Sequence, residues 1–395
     1  MKKFYDMMFT REPSNLGRQI ELDITKALCI FFMVIVHIVE ELGVESAEVS
    51  GSFSNFLIYV LAGFTGAGTF MLCMGIGFGY TRHSEAKDFI KRGAITLLLS
   101  YVLNFVRAFV HMFFCIPKLD ISTFDKWALI GFNMLDVDIM QFAGLAMLVF
   151  GLFKLAKMKP WHMFAIAFSL SLGATLFMVL HGQETTGSIM GDGVLSLFWP
   201  MWYLEEGETV ADFPLVCYLI FPIAGYCISY YYKKIKNKNL FFGIALGLSA
   251  IVIAAYVLIN PIENQQSLFR EGDIGYCHIY IWDALINVIT SMGLIGLCYF
   301  ASLILPKFAL NGCHEVSKNI NKIYCISWVI LLNGIGIYDG IMLSKGLETP
   351  EVVDDWINIL IGIGVFIISA LIAHYYVKFK EAKKEKKNAD LASAQ

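Results

Sequence analysis

Ten stretches of the chain are apolar for long enough to matter more than anything else in it. They fall near 24–43, 55–80, 93–116, 139–156, 160–180, 213–232, 240–260, 279–305, 323–343 and 356–377. A helix rising about 1.5 Å per residue crosses a hydrocarbon core of roughly 30 Å in about 20 residues. Inside that core no water satisfies backbone N–H and C=O groups, so the chain must close its hydrogen bonds within helices or a barrel. Runs of this length select helices. Composition agrees: 57% of the residues are hydrophobic and 16% charged, against roughly 45–50% and 25% in soluble domains. The expected fold class is all-α, a polytopic integral membrane protein of about ten transmembrane helices. The runs at 55–80 and 279–305 are long enough to tilt or break. The segment 193–203 (GVLSLFWPMWY) is too short to span, and its aromatic residues fit an interfacial or re-entrant piece.

Charge placement orients the bundle. With the N-terminus cytoplasmic, the inner stretches are 1–23, 81–92, 154–159, 233–238, 306–322 and 378–395, and they hold 24 of the 30 Lys and Arg residues. The outer stretches hold only Lys118, Lys126, Arg270 and Lys345, while Lys26 and Arg107 lie in helices. Every loop obeys the positive-inside bias, so both termini are expected in the cytoplasm. An error in helix count would break that alternation from the error onward. The chain divides into a cytoplasmic segment (1–23), a membrane domain (24–377) and a basic cytoplasmic tail (378–395). The first apolar run follows a polar start and is too long for the core of a cleavable leader. Nine cysteines show neither metal nor disulfide spacing, and most sit in apolar runs as small buried residues. No metal is expected, and nothing points to nucleic acid.

Residues 21–42 (ELDITKALCIFFMVIVHIVEEL) carry ionisable groups where lipid makes them costly. Lys26 and His37, 11 positions apart, fall within roughly 20° on the helix and about 16 Å apart along it. Asp23, Met33 and Glu40 or Glu41 share the broad stripe. The third span carries Asn104, Arg107 and His111 on one face, and the eighth carries Asp283 and Asn287 one turn apart after His278. Gln141 opens the fourth span, and Asn333 and Asp339 lie toward the outer end of the ninth. His37, Arg107 and Asp283 are therefore expected at similar depth in the outer half. A purely architectural alternative has Arg107 paired with Asp283 in a network of interhelical hydrogen bonds.

The stretch LDITKALCIFFMVIVH resembles the first-helix signature of the membrane acyltransferase family 3. In that signature an acidic residue precedes an Arg by three positions, and a His follows the Arg after ten intervening residues. Asp23, Lys26 and His37 occupy those places, with Lys in place of the usual Arg. Lysine keeps the charge and loses the planar fork. The stretch GTFMLCMGIGFGYTRHSEAKDFIKRGAITLLLSYVLNFVR resembles the heparan-α-glucosaminide N-acetyltransferase-like proteins, as do DIMQFAGLAMLVFGL and FPLVCYLIFPIAGY. SKNINKIYCISWVI resembles a late-helix pattern of family 3.

The resemblance implies an enzyme of about ten helices that takes acyl-CoA, usually acetyl-CoA, on the cytoplasmic side and acylates a sugar or other small acceptor, often on the far side. Asp23 and Lys26 would then sit at the mouth of the CoA cavity and His37 near the thioester. Lys26, Lys91 and Arg92 are candidates for the nucleotide phosphates by charge alone, although the positive-inside bias also accounts for Lys91 and Arg92. Acyl transfer needs a base for the acceptor proton, and His37 suits that role or that of a transient acyl carrier. Glu40 or Asp283 would orient the imidazole, and Arg107 or Asn287 would face the oxyanion, with His111 on the same acceptor side. Two rival readings stay open: a secondary transporter, which uses the same intramembrane groups, and a non-catalytic subunit of glycan export. The expected location is a cell membrane, of the bacterial plasma-membrane kind, with a homodimer left open. The aromatic segment 181–212 suits sugar rings or a membrane interface.

Overall fold

The computed structural model of the protein describes residues 2–42, 66–181, 189–200, 211–259, 278–346 and 355–393. It is all-helical, with no strand among the described residues, only isolated bridges such as Phe9 with Ile235. Ten apolar helices run in the order expected: α1 (Ile20–Leu42), α2 (Ala67–Tyr80), α3 (Ala86–Arg107), α4 (Ile139–Leu155), α5 (Pro160–His181), α6 (Leu215–Tyr232), α7 (Lys238–Ile259), α8 (Ile281–Ile304), α9 (Lys307–Ser344) and α10 (Asp355–Ser393). Eight have the length and hydropathy to cross a membrane; α2 and α4 are apolar but shorter. The part of the second span before residue 66 lies outside the described residues, as does most of 181–212.

Bilayers supply no hydrophobic drive between helices, so close backbone packing does that work. Between α2 and α6 a Cβ on Gly75 would lie 2.0 Å from the Pro222 carbonyl oxygen, and one on Gly225 would lie 2.2 Å from that of Leu72. Any larger residue would force these two helices apart. The chain's outer face is apolar, with Leu98, Phe113, Leu258, Ile304 and Leu360 exposed as lipid-facing groups. α1 is central and packs on α2, α8, α9 and α10.

Contacts at the helix ends show that the basic stretches share one end of the bundle. Tyr80 Oη donates to the Asn15 carbonyl (3.0 Å), and Tyr232 Oη and Lys238 Nζ both donate to Glu21 Oε1 (2.8 Å each). Ser317 Oγ donates to Asp23 Oδ1 (2.6 Å), Tyr299 Oη to Asn239 Oδ1 (2.6 Å), and Lys154 Nζ to Tyr226 Oη (2.8 Å). Lys318 reaches Glu381 at 4.0 Å. The start of α1, the α2–α3, α4–α5, α6–α7 and α8–α9 turns, and the end of α10 therefore lie together.

Two local features differ from the expected pattern. The third span, expected to run through 116, is α-helical only to Arg107, then makes a π turn (His111–Cys115) and a 3-10 turn (Ile116–Lys118). A further helix, Thr123–Leu135, follows; its exposed Phe124 and Trp127 fit an interfacial position. Ser122 caps it by accepting from the Asp125 N–H (3.1 Å).

Candidate active site

α1 and α9 run in the same direction, and two polar clusters lie along their contact. The one at the far end from the basic stretches is built around His37. Its Nδ1 donates to Glu40 Oε2 at 3.1 Å, one turn on along α1. That leaves Nε2 with the lone pair that can accept a proton. The imidazole lies on the Trp328 ring of α9, with centroids 4.4 Å apart and planes at 39°. On the same indole sits the Arg107 guanidinium, its Cζ 4.8 Å from the centroid. One tryptophan thus carries an imidazole and a guanidinium together.

Arg107 is anchored by two carboxylates. Nη1 donates to Asp138 Oδ2 at 2.9 Å, and Nη2 bonds Asp136 Oδ2. Tyr324 Oη also donates to Asp138 Oδ2. The Arg107 and Asp138 side chains are 5% and 6% exposed, so this ion pair has left water. Burial raises the Asp136 carboxyl above its ordinary range, with Arg107 opposing the rise. The carboxylates stand where they do because of the start of α4. Asp138 is its N-cap, accepting from the Ile139 N–H, and Gln141 completes a capping box by accepting from the Asp138 N–H at 3.3 Å. Asn104 and Gln141 donate to the Asp136 carbonyl (2.8 and 3.1 Å). The break after Arg107 is stitched to α9: the Val110 N–H donates to Asn333 Oδ1 (3.1 Å) and Asn333 Nδ2 donates to the Val106 carbonyl (2.9 Å).

Two expectations are corrected here. Arg107 does not pair with Asp283; the loop carboxylates at 136 and 138 take its terminal nitrogens. The reason is sequence proximity across the α3–α4 connection, which the capped start of α4 turns back toward α3. Nor does Asn287, one turn after Asp283 on α8, join His37. Both are buried, but Asn287 Oδ1 accepts from Ser291 Oγ (3.0 Å), which is bonded to Thr69 of α2 (2.7 Å). This separate polar layer sits between α2 and α8, where a Cβ at Gly68 would be 2.8 Å from Asn287 Oδ1. His111 lies in the π turn, its backbone against Gly336 of α9 and its ring near Asp339.

The second cluster surrounds the start of α1. Asp23 receives Arg18 Nε (2.5 Å) and Ser317 Oγ (2.6 Å), with His314 at 3.8 Å. Glu21, 2% exposed, is held by Tyr232 and Lys238. Lys26 is half-buried between α1 and α2, with Nζ 4.0 Å from where a Cβ on Gly77 would lie, and it makes no ion pair among the described residues. Lys91 and Arg92 stand exposed at the same end, at the start of α3, Arg92 resting on the Phe89 ring (5.9 Å). The described residues contain no cluster of metal-ligating side chains.

Asp136, Asp138, Tyr324 and Trp328 were not among the residues singled out from sequence. Two signals were available: the capping pattern in DIMQ and the WVI stretch of α9, where an aromatic inside a span reads equally well as lipid contact.

No curated protein matches the chain. Residues 19–375 match the profile of a family described as an acyltransferase domain, from just before α1 into α10. That match takes in α1 through α9, the first half of α10 and all but Arg18 of the two polar clusters, and the chain belongs to the acyltransferase 3 family of membrane acyltransferases.

Proposed function

We propose that the protein transfers an acyl group, acetyl first among candidates, from cytoplasmic acyl-CoA to a hydroxyl or amine of a sugar or other small acceptor at the outer side. The observation that carries this reading is His37: an imidazole oriented by one carboxylate through Nδ1, on the same helix as Lys26, which makes no ion pair among the described residues, in a chain of this family. The acceptor O–H or N–H gives its proton to His37 Nε2 as its heteroatom attacks the thioester carbonyl. The tetrahedral intermediate then expels CoA thiolate, which takes the proton back from His37. Attack by Nε2 itself, through an acyl-imidazole, uses the same residues in two steps. Lys26 and Asp23 mark the donor end, with Lys91 and Arg92 at the rim. Sugar acetylation across a membrane is also the activity that the resemblance to heparan-α-glucosaminide N-acetyltransferase-like proteins suggests. The basic end of the bundle is placed in the cytoplasm by the positive-inside bias.

Purified protein in nanodiscs, given acetyl-CoA and followed for CoA release with and without candidate acceptors, tests the reading. Turnover in the wild type and a fall of about 10²–10⁴-fold in both His37→Ala and His37→Gln are expected. Glutamine keeps a hydrogen bond but cannot take the proton. Full turnover in folded His37→Gln refutes the catalytic assignment, and no turnover with any acceptor favours a transporter or an export subunit.

A further inference from the structure

Trp328 poses a problem that packing alone does not solve. The residue is 8% exposed, and its Nε1–H has no hydrogen-bond acceptor among the described residues. A buried donor without a partner costs free energy, and each such group in a folded protein calls for an explanation. A phenylalanine would give the same aromatic face to His37 and Arg107 without that cost. Tyrosine and tryptophan are placed in apolar surroundings where their polar end has a partner to meet. The side chain is also well fixed: His37 lies on it at 4.4 Å, Arg107 at 4.8 Å, and the Tyr324 ring stands edge-on at 6.5 Å. Its neighbours cannot satisfy it. Arg107 is a donor only, and none of the carboxylates around His37 and Arg107 among the described residues accepts from the Trp328 Nε1–H.

We propose that the Trp328 Nε1–H is held unpaired for the carbonyl oxygen of the acyl group. This inference rests on the acyl-transfer reading and names a donor for it. As the acceptor attacks and its proton moves to His37, the carbonyl π electrons become an oxygen lone pair. The N–H of Trp328 bonds that oxyanion until the C–S bond breaks and the carbonyl re-forms. A preorganised neutral donor is suited to charge that develops only in the transition state. Arg107, expected from sequence to serve here, has its terminal nitrogens committed to Asp136 and Asp138.

The test is Trp328→Phe in the full-length protein, with Trp328→Leu beside it. Phenylalanine keeps the ring under His37 and removes the donor. We expect kcat to fall about 10²–10³-fold, KM for acetyl-CoA to hold within about threefold, and Tm to stay or rise as the orphan N–H is lost. A Phe variant with near-wild-type kcat overturns the proposal, whatever Leu does, and leaves Trp328 a packing residue. A fall in Tm that accompanies the fall in kcat overturns it as well. A ligand comparison separates this outcome from failure of the functional reading. A stable ketone analogue of acetyl-CoA should raise wild-type Tm more than CoA does, and that excess should vanish in Trp328→Phe. An excess of equal size in both proteins overturns the donor even where no acceptor supports turnover.

Discussion

The two ends of the α1–α9 contact handle charge in opposite ways. At the His37 end, the strongest charges cancel one another: Arg107 is enclosed by Asp136, Asp138 and the Trp328 ring, and Glu40 reaches toward water. At the Lys26 end, carboxylates are satisfied while a cation is left over: Glu21 has Tyr232 and Lys238, Asp23 has Arg18 and Ser317, and Lys26 has no ion partner among the described residues. A buried pair that is complete in itself holds a structure together, since breaking it strands a charge. A half-buried cation with no pair is positioned to meet an anion that arrives from outside, such as a phosphate. The difference suggests that Arg107 shapes the site and that Lys26 serves a ligand.

The largest effect should come from the closed end. Arg107→Leu leaves the buried Asp138 and the partly buried Asp136 without their cation and is expected to cost roughly 3–5 kcal/mol of stability. Combining it with Asp138→Asn should recover part of that loss, because one buried charge is removed along with its partner. Thermal melts in detergent read both. If Arg107→Leu melts like the wild type but loses turnover, Arg107 acts on substrate and the contrast between the two ends fails.

Much of this was legible in the chain and some was not, for physical reasons. The ten helices follow from the solvent, which admits little else for runs such as 160–180 and 356–377. Asp23, Lys26 and His37 were legible because their relation is local to one helix, where 100° per residue fixes which residues share a face. Partner choice for Arg107 was not, because depth alone cannot distinguish Asp283 from carboxylates in a connection. The break in α3 was also hidden: between 94 and 116 there is no glycine or proline, and the irregular backbone is satisfied from outside by Asn333 of α9. Trp328 looked like any aromatic in an apolar run until the fold placed an imidazole and a guanidinium on its ring.

The open end should respond next. Lys26→Ala removes a charge that forms no ion pair among the described residues, so Tm should change little. Its loss should appear in binding: a charge-assisted contact is worth roughly 1.5–3 kcal/mol, or about 10–100-fold in the Kd for CoA. Lys26→Arg should retain most of the affinity. Isothermal titration in nanodiscs compares the three. Equal affinities would make Lys26 a topology charge and remove the contrast drawn between the two ends.

The smallest effect is expected at Glu40, and it bears on how His37 is held. A carboxylate that orients a catalytic histidine from a buried position can be worth several orders of magnitude in rate. Glu40 is different: its side chain is 44% exposed and it lies one turn from His37 on the same helix. Exposed pairs of this kind contribute up to about 1 kcal/mol, which is roughly fivefold in rate. The Trp328 face does the rest of the positioning. Glu40→Gln should therefore lower kcat only about fivefold, with KM for acetyl-CoA unchanged, while Trp328→Leu removes far more. The comparison is made by steady-state CoA release at one pH. A loss of 10³-fold or more in Glu40→Gln would mean that Glu40 becomes buried when substrate binds, placing the closed, water-poor character of the Arg107 side around His37 as well.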